Sequence, residues 1–440
     1  MSEDGCIVAK FGGSSLADAN GFRAIKSILE SDPRRRYVIV SAPGKRRPDD
    51  KKVTGLLQLC WELKRQGMPF ADVWARVLTR FNTLISKLDL SGLAAELGFD
   101  QILPGVKSAD DLISRGEYLA ARLMAGYLNW PFVDAIEVIV FDAFGRLQKE
   151  LTYERMVKVL SRHPRAVLPG FYGRTADGDI KTFPRGGSDI TGAIVARAIG
   201  ATVYENWTDT DGFLTADPAI VPTARPIKVL SYGELRELSY MGARVFHDEA
   251  MFPVREAQIP INIRNTFRPS EPGTLIVPDS DLSNVSAGAI TGVAGRGGFS
   301  VITIAKSMMN NEVGFARKVL AVFESYGVSV EHMPSGIDTM SVVADTELFK
   351  VDEPNIFNDI WHVCHPDSVA AHHHLALIAT VGRGMIKTPG IAARLFTVVA
   401  EAGVNIRLID QGSSELNIII GVEEEDFETA VRAIHHGFIG

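Results

Sequence analysis

The chain has 440 residues, 46% of them hydrophobic and 22% charged, a balance near the globular average that excludes long disorder, collagen and coiled coil. At roughly 100–200 residues per domain it has room for about two to four domains, and no apolar run reaches the ~18 residues of a membrane-spanning helix. A formal net charge of −7 argues against a nucleic-acid binder, whose affinity rests on neutralising phosphates.

The acidic start, Met1-Ser2-Glu3-Asp4, lacks the basic and apolar parts of a secretory signal. Three scattered cysteines, Cys6, Cys60 and Cys364, read as reduced thiols, so a cytoplasmic protein is expected. Cys6–Phe11 reads as a buried strand that stops at Gly12-Gly13-Ser14-Ser15. Leu16, Ala19, Phe22, Ile25, Ile28 and Leu29 then mark one face of a helix. Tyr37–Ala42 is a second apolar strand, which completes the βαβ unit of a parallel sheet. The theme returns at Ala166–Pro169, at a helix Thr191–Ile199 and at a strand Ala201–Tyr204. Residues 1 to about 281 therefore read as one large α/β domain with ligands at the carboxyl ends of its strands. Farther on, two segments coincide at Gly314/Gly390, Ala316/Ala392, Val322/Val398, Gly327/Gly403 and Val328/Val404. Each follows an apolar strand, Ser300–Ala305 or Leu375–Val381. Each precedes two more, the later ones near Thr339–Ala344 and Glu415–Val422. This internal duplication predicts a pair of packed α+β modules.

The turn Lys10–Ser15 lies between strand and helix, where glycines admit an anion to the backbone and the first free N–H groups bind it. It matches neither G-x-x-x-x-G-K-[ST] nor G-x-G-x-x-G, and alone it is equally a tight βα turn. Arg185-Gly186-Gly187-Ser188-Asp189 is a second glycine turn, opening a helix near Thr191. Arg185 suits bidentate binding of a carboxylate or phosphate, and Asp189 either holds Lys10, binds a metal or caps the helix. Thr208-Asp209-Thr210-Asp211-Gly212 follows a strand, at a position suited to nucleotide contacts or to a plain Asx-turn loop. Two anion-binding turns, a lysine and several aspartates point to phosphoryl transfer from a nucleotide, which is mostly positioning and charge stabilisation. A carboxylate acceptor is already ionised at pH 7, so the lack of an obvious catalytic histidine is tolerable.

With Ser41, Val53-Thr54-Gly55-Leu56-Leu57 and Arg115-Gly116-Glu117, these motifs stand in the order found in the aspartate kinases (aspartokinases), which the chain resembles along essentially its whole length. The tandem repeats resemble ACT modules. The resemblance implies an α/β amino-acid-kinase (carbamate-kinase-like) three-layer sandwich with a mostly parallel central sheet over residues 1–285, then two ferredoxin-like βαββαβ modules. The first module spans 298–373. The second lacks a final strand after the helix Asp426–His436, so it is expected to be completed from near 288–296, giving an interleaved 286–297 plus 374–440. The implied reaction is transfer of the ATP γ-phosphoryl group, with Mg²⁺, to the side-chain carboxylate of L-aspartate. It opens the lysine, threonine and methionine branch of amino-acid biosynthesis, in a monofunctional enzyme.

Carried over by position, Lys10 stabilises the transferring group and Asp189 orients Lys10. Arg185 takes the α-carboxylate of the substrate, Glu117 its ammonium, and Ser41 and Thr54 line the aspartate pocket. Lys10, Phe11, Gly12, Gly13 and Ser188 surround the phosphates, and Thr208, Asp209, Leu214, Arg244 and Val245 the rest of the nucleotide. Mg²⁺ would accompany ATP, held largely by phosphates and water, so no protein ligand is named for it. The family's usual D-P-R is Asp217-Pro218-Ala219 here, an aromatic is replaced by Leu214, and a lysine by Arg244, so a raised KM for ATP is expected.

Matching lysine-sensitive members places Met309, Gly314, Phe315, Glu331, Ser335 and Gly336 around an effector amino acid, with L-lysine the leading choice and threonine, or both together, the alternatives. For Met309 and Phe315 the competing reading is core packing. Exposed edges favour a homodimer or dimer of dimers through the ACT modules. The competing functions are another amino-acid kinase, such as a glutamate kinase, and a catalytically silent ACT-based sensor. Lys45–Lys52 reads as a solvated basic loop, Arg34–Arg36 as a charged turn, and His362–His374 as an exposed linker rather than a metal site.

Overall fold

The computed structural model describes residues 5–184, 186–243, 251–282 and 288–440. The chain divides into two compact units: Met1–Phe213 with Pro226–Tyr232 and Arg244–Asn284, and Leu214–Arg225 with Gly233–Ala243 and Val285–Gly440.

The first unit carries a seven-stranded sheet in the order Ala166–Pro169, Arg35–Val40, Ile7–Phe11, Val203–Thr208, Ile261–Asn265, Thr274–Val277, Val229–Ser231. The first five strands run parallel, and Thr274–Val277 opposes its neighbour Ile261–Asn265. Ile7–Phe11 is buried at every residue, as a strand with helices on both faces requires. Ala9 and Phe11 share a core with Phe22, Ile25, Ile28 and Leu29 of the helix Ala19–Glu30. Asp18 caps that helix by accepting from the N–H groups of Asn20 and Gly21. Lys10 points to the opposite face, toward the helix Gly187–Ala198. Helices on both faces of a mostly parallel sheet make the three-layer α/β architecture.

The second unit is built on a six-stranded antiparallel sheet in the order Val330–His332, Thr339–Asp345, Gly292–Ala305, Ser368–Val381, Asn417–Glu423, Leu408–Asp410. Its two central strands are each 14 residues long, and their mutual register shifts between Arg296 and Phe299. Gly292–Arg296 pairs with Leu377–Val381, and Phe299–Ala305 with Ser368–Leu375. On one side of the shift the helices Phe315–Ser325 and Thr346–Cys364 close a core around Phe323 and Phe349. On the other, Ile391–Glu401 and Phe427–Phe438 close a second around Leu395 and Ile434. The repeated glycines have a backbone cause: Gly327 and Gly403 end their helices at φ 66° and 76°, where a Cβ is disfavoured.

Two local readings change, while the basic loop Lys45–Lys52 stays a largely exposed loop. Arg35 and Arg36 open a strand rather than a turn, and Arg35 is only 6% exposed, donating to Glu205 from Nε at 2.7 Å and Nη2 at 3.0 Å. The expected turn fails because a partner 170 residues away supplies the opposite charge inside the sheet. The histidine-rich stretch is not a loop: it ends the helix Thr346–Cys364 and forms half of the strand Ser368–Val381. There His372 meets Glu423 at 2.9 Å and His373 meets Ser300 at 2.8 Å. In the basic loop, Asp50 is gripped by Arg46 at 2.8 Å and Arg80 at 2.9 Å, and the Arg46 hydrogen bond leads in holding its carboxyl below the usual range.

Candidate active site

Three strand ends meet in the first unit. Ser41 N–H donates to Phe11 O at 3.2 Å, and Gly170 N–H to Val40 O at 3.0 Å, so the turns after Phe11, Val40 and Pro169 lie side by side. Gly13 is pressed against the second turn, because a Cβ there would lie 2.8 Å from Ala42 O. Phe171, in the third turn, holds φ at +80°, a conformation usually left to glycine.

Lys10 leaves the central strand, is 7% exposed and forms an ion pair with Asp189. Asp189 stands in the first turn of its helix, which begins at Gly187, with Gly186 at φ 62° as the cap residue. Its carboxylate is thus a partner of Lys10 and not the helix cap. Asn206, directly opposite Lys10 in register, donates to Asp189 Oδ1 at 2.7 Å and accepts from Lys10 Nζ at 3.5 Å. Sequence reasoning missed Asn206. The available signal was the pair Glu205-Asn206 inside a parallel strand, where an unbroken apolar run is the norm.

Glu117 lies in the helix Ala109–Leu128, which crosses the start of the helix Val53–Arg65 closely enough that a Cβ on Gly116 would touch Ala42, Leu57 and Val53. That crossing brings Glu117 beside the Ser41–Ala42 turn and the helix bearing Thr54. Ser41 and Thr54 are half-buried. Glu117 is 4% exposed and its Oε2 has no hydrogen-bond partner. Burial pushes its carboxyl up to about 8, against the smaller lowering by the Ala42 backbone.

Phe11 stacks on Trp207 at 6.0 Å in the core, so a ligand reaches only its backbone. Gly12 N–H donates to Trp207 O at 2.9 Å. Ser15 is fully buried and bonded to Thr266 at 2.7 Å, which leaves Ser14 as the hydroxyl of that turn open to a ligand. Ser188 is 9% exposed against Gly170, whose Cβ would fall 2.6 Å from Ser188 Cβ. Thr208 ends the strand and Asp209 is exposed, with Thr208 Oγ1 donating to Asp209 at 3.1 Å. Leu214 groups with the second unit. Arg185, Arg244 and Val245 lie outside the described residues.

Of the proposed effector positions, Met309 and Phe315 are buried in the core beside Phe323. Gly314 starts the helix at φ 83°, Glu331 is half-buried, and Ser335 and Gly336 are exposed.

Residues 5–265 match the amino acid kinase family, and residues 378–438 match an ACT domain. The chain is 38% identical over 448 residues to aspartokinase 3 of Bacillus subtilis, with 98% of each chain covered. It is 30% identical to the chloroplastic aspartokinase 1 of Arabidopsis thaliana, over 98% of this chain and 80% of that one. The crystal structure of Clostridium acetobutylicum aspartate kinase superimposes with a TM-score of 0.93 at 48% identity, covering 98% of this chain and 100% of that one. E. coli aspartokinase III, solved with aspartate and ADP, shares the fold at a TM-score of 0.77 and 24% identity, over 99% and 100% of the two chains.

Proposed function

The chain belongs to the aspartokinases of the amino acid kinase family, and on that premise we propose that it phosphorylates the side-chain carboxylate of L-aspartate with Lys10 at the centre of the reaction. The observation that carries this reading is the Lys10–Asp189 ion pair at the carboxyl end of the sheet, completed by Asn206. A carboxylate nucleophile arrives ionised, so no general base is needed, and the task is to hold two anions together. The aspartate oxygen forms the new bond to the γ-phosphorus while the bond to the ADP oxygen breaks. Lys10 stabilises the charge on the remaining phosphoryl oxygens. Asp189 and Asn206 hold that ammonium in place. The amides after Phe11, with Ser14 and Ser188, take the phosphates, and Thr208 and Asp209 the rest of the nucleotide.

Glu117 fits the ammonium group of aspartate: a buried carboxyl whose Oε2 has no partner is stabilised in its ionised form by an arriving cation. Ser41 and Thr54 line the same pocket, and Arg185 takes the α-carboxylate. Among the described residues no three His, Cys, Asp or Glu side chains gather into a metal cage, and Asp189 is engaged by Lys10 and Asn206. Mg²⁺ would accompany ATP, held largely by its phosphates and by water, which is the chemistry the resemblance implies and not something the absence of a cage shows. Regulation rests on the second unit as two interleaved ACT modules, 298–373 and 286–297 plus 374–440, binding L-lysine at Glu331. E. coli aspartokinase III has been solved with lysine and aspartate in a T-state, at 24% identity. The working form is a cytoplasmic homodimer or dimer of dimers.

The test is ATP- and Mg²⁺-dependent acyl phosphate formation, trapped with hydroxylamine, using aspartate and glutamate with and without lysine and threonine. Aspartate-dependent product suppressed by lysine is expected. No product from either substrate, alongside lysine binding, would leave a silent sensor.

A further inference from the structure

Glu331 is already occupied by the chain's own groups. Its side chain is 12% exposed, Oε2 accepts from the Tyr240 hydroxyl, and Oε1 lies 3.7 Å from Arg296 Nη2. Arg296 is itself fixed, with its guanidinium 4.3 Å from the Phe299 ring and 3.8 Å from Asp345. Burial raises the Glu331 carboxyl above its ordinary range, ahead of the opposing effect of His332.

Tyr240 ends the helix Tyr232–Tyr240, whose residues from Gly233 onward belong to the second unit. Glu234, Glu237 and Tyr240 recur every three residues along one side of it. Glu234, fully buried, accepts from Arg383 Nη1 at 3.0 Å and from Thr291 at 2.5 Å. Glu237 accepts from Asn417 at 2.5 Å. The first two contacts reach the half of the sheet containing Ile391–Glu401, and Tyr240 reaches the other half through Glu331.

We propose that an ammonium-bearing effector and Tyr240 compete for Glu331, so that effector binding releases the last turn of this helix. This rests on the effector reading given above. A carboxylate whose side chain is 12% exposed, with a phenol on one oxygen and a guanidinium near the other, is best approached by a second cation where one of these groups gives way. Of the two flanking groups, the neutral phenol is the one an ammonium displaces, because a charged donor binds a carboxylate more strongly. Both ends of the coupling are then defined: the effector takes one state of Glu331, and Tyr240 takes the other.

The experiment is calorimetric titration of the full-length wild type and of Tyr240→Phe with L-lysine, paired with hydrogen exchange over residues 233–243. Removing the competing hydroxyl is expected to tighten lysine binding about two- to tenfold, the equivalent of one ordinary hydrogen bond. Lysine on the wild type, and Tyr240→Phe without lysine, are both expected to speed exchange in the last turn of the helix. Equal or weaker lysine binding by Tyr240→Phe overturns the competition while leaving the effector site standing. Unchanged exchange in both arms overturns the release of the helix. A wild-type chain that binds no lysine removes the effector reading itself, and the competition with it.

Discussion

Asn206 donates its side-chain amide to Asp189 Oδ1 at 2.7 Å and turns its own oxygen toward Lys10 at 3.5 Å. The Lys10 ammonium is therefore set by two neighbours: a carboxylate from the helix and an amide from the adjacent strand. The parallel register Lys10↔Asn206 makes this possible, because paired residues of adjacent strands point to the same face.

Asn206→Ala should keep the fold and lower kcat about 10- to 100-fold, the scale of a lost hydrogen bond to a charged group. The KM for aspartate should change little, because Asn206 acts through Lys10 and Asp189. Steady-state kinetics with aspartate and ATP varied separately check this. A KM effect without a kcat effect would remove Asn206 from the positioning role.

Glu117 yields a proton-linked prediction. With its carboxyl near 8, it is largely protonated in the free protein at pH 7, and pairing with the substrate ammonium should ionise it. Aspartate binding at pH 7 should then release about 0.9 proton, measurable by calorimetry in buffers of different ionisation heat.

The same shift has a stability consequence. A carboxyl raised above its unfolded value favours folding fully below about 4.5 and loses that contribution as pH rises through about 8. Glu117→Gln should remove this dependence and stabilise the substrate-free protein at pH 8.5 by about 2–4 kcal/mol over the wild type, while abolishing aspartate turnover. Denaturant midpoints at pH 5 and 8.5 are the measurement, and equal midpoints at both would count against the buried acid.

Arg35→Met should destabilise the protein by about 3–5 kcal/mol, since it leaves Glu205 buried with less compensation. The neighbouring Arg36 is exposed, and Arg36→Met should change stability by no more than about 0.5 kcal/mol. Comparison of the two unfolding curves separates a buried ion pair from a charged turn.

Gly13→Ala would place a methyl 2.8 Å from Ala42 O and 3.3 Å from Gly44 N, contacts with backbone that has little freedom to move. At least a tenfold loss of kcat/KM for ATP is expected, on the order of 1.4 kcal/mol. Gly55→Ala meets nothing within 4 Å in its helix and should be neutral or slightly stabilising.

Ala219 donates its N–H to Asp217 Oδ1 at 2.8 Å, a turn that an arginine can adopt. Ala219→Arg should lower the KM for ATP by restoring a phosphate-seeking side chain. An unchanged KM would show that this departure from the family pattern has no effect on nucleotide binding.

Much of this protein was legible as sequence because its signals are local. The apolar runs at Cys6–Phe11 and Tyr37–Ala42, the glycines at 12 and 13, and the repeated Gly327/Gly403 each reflect a constraint acting within a few residues. The order of the motifs was equally readable, since chain order needs no folding. Tertiary structure alone decided which distant residues share a charge. Arg35 became a core residue because Glu205 stands two strands away in the same sheet, and Asn206 became part of the site because Val203–Thr208 pairs with Ile7–Phe11. His372–His374 changed from linker to strand because Gly292–Ala305 supplies the pairing edge. Tyr240 reached Glu331 across 91 residues of chain. In each case the favourable partner appears only when strands find their neighbours, so no window of sequence around either residue contains it.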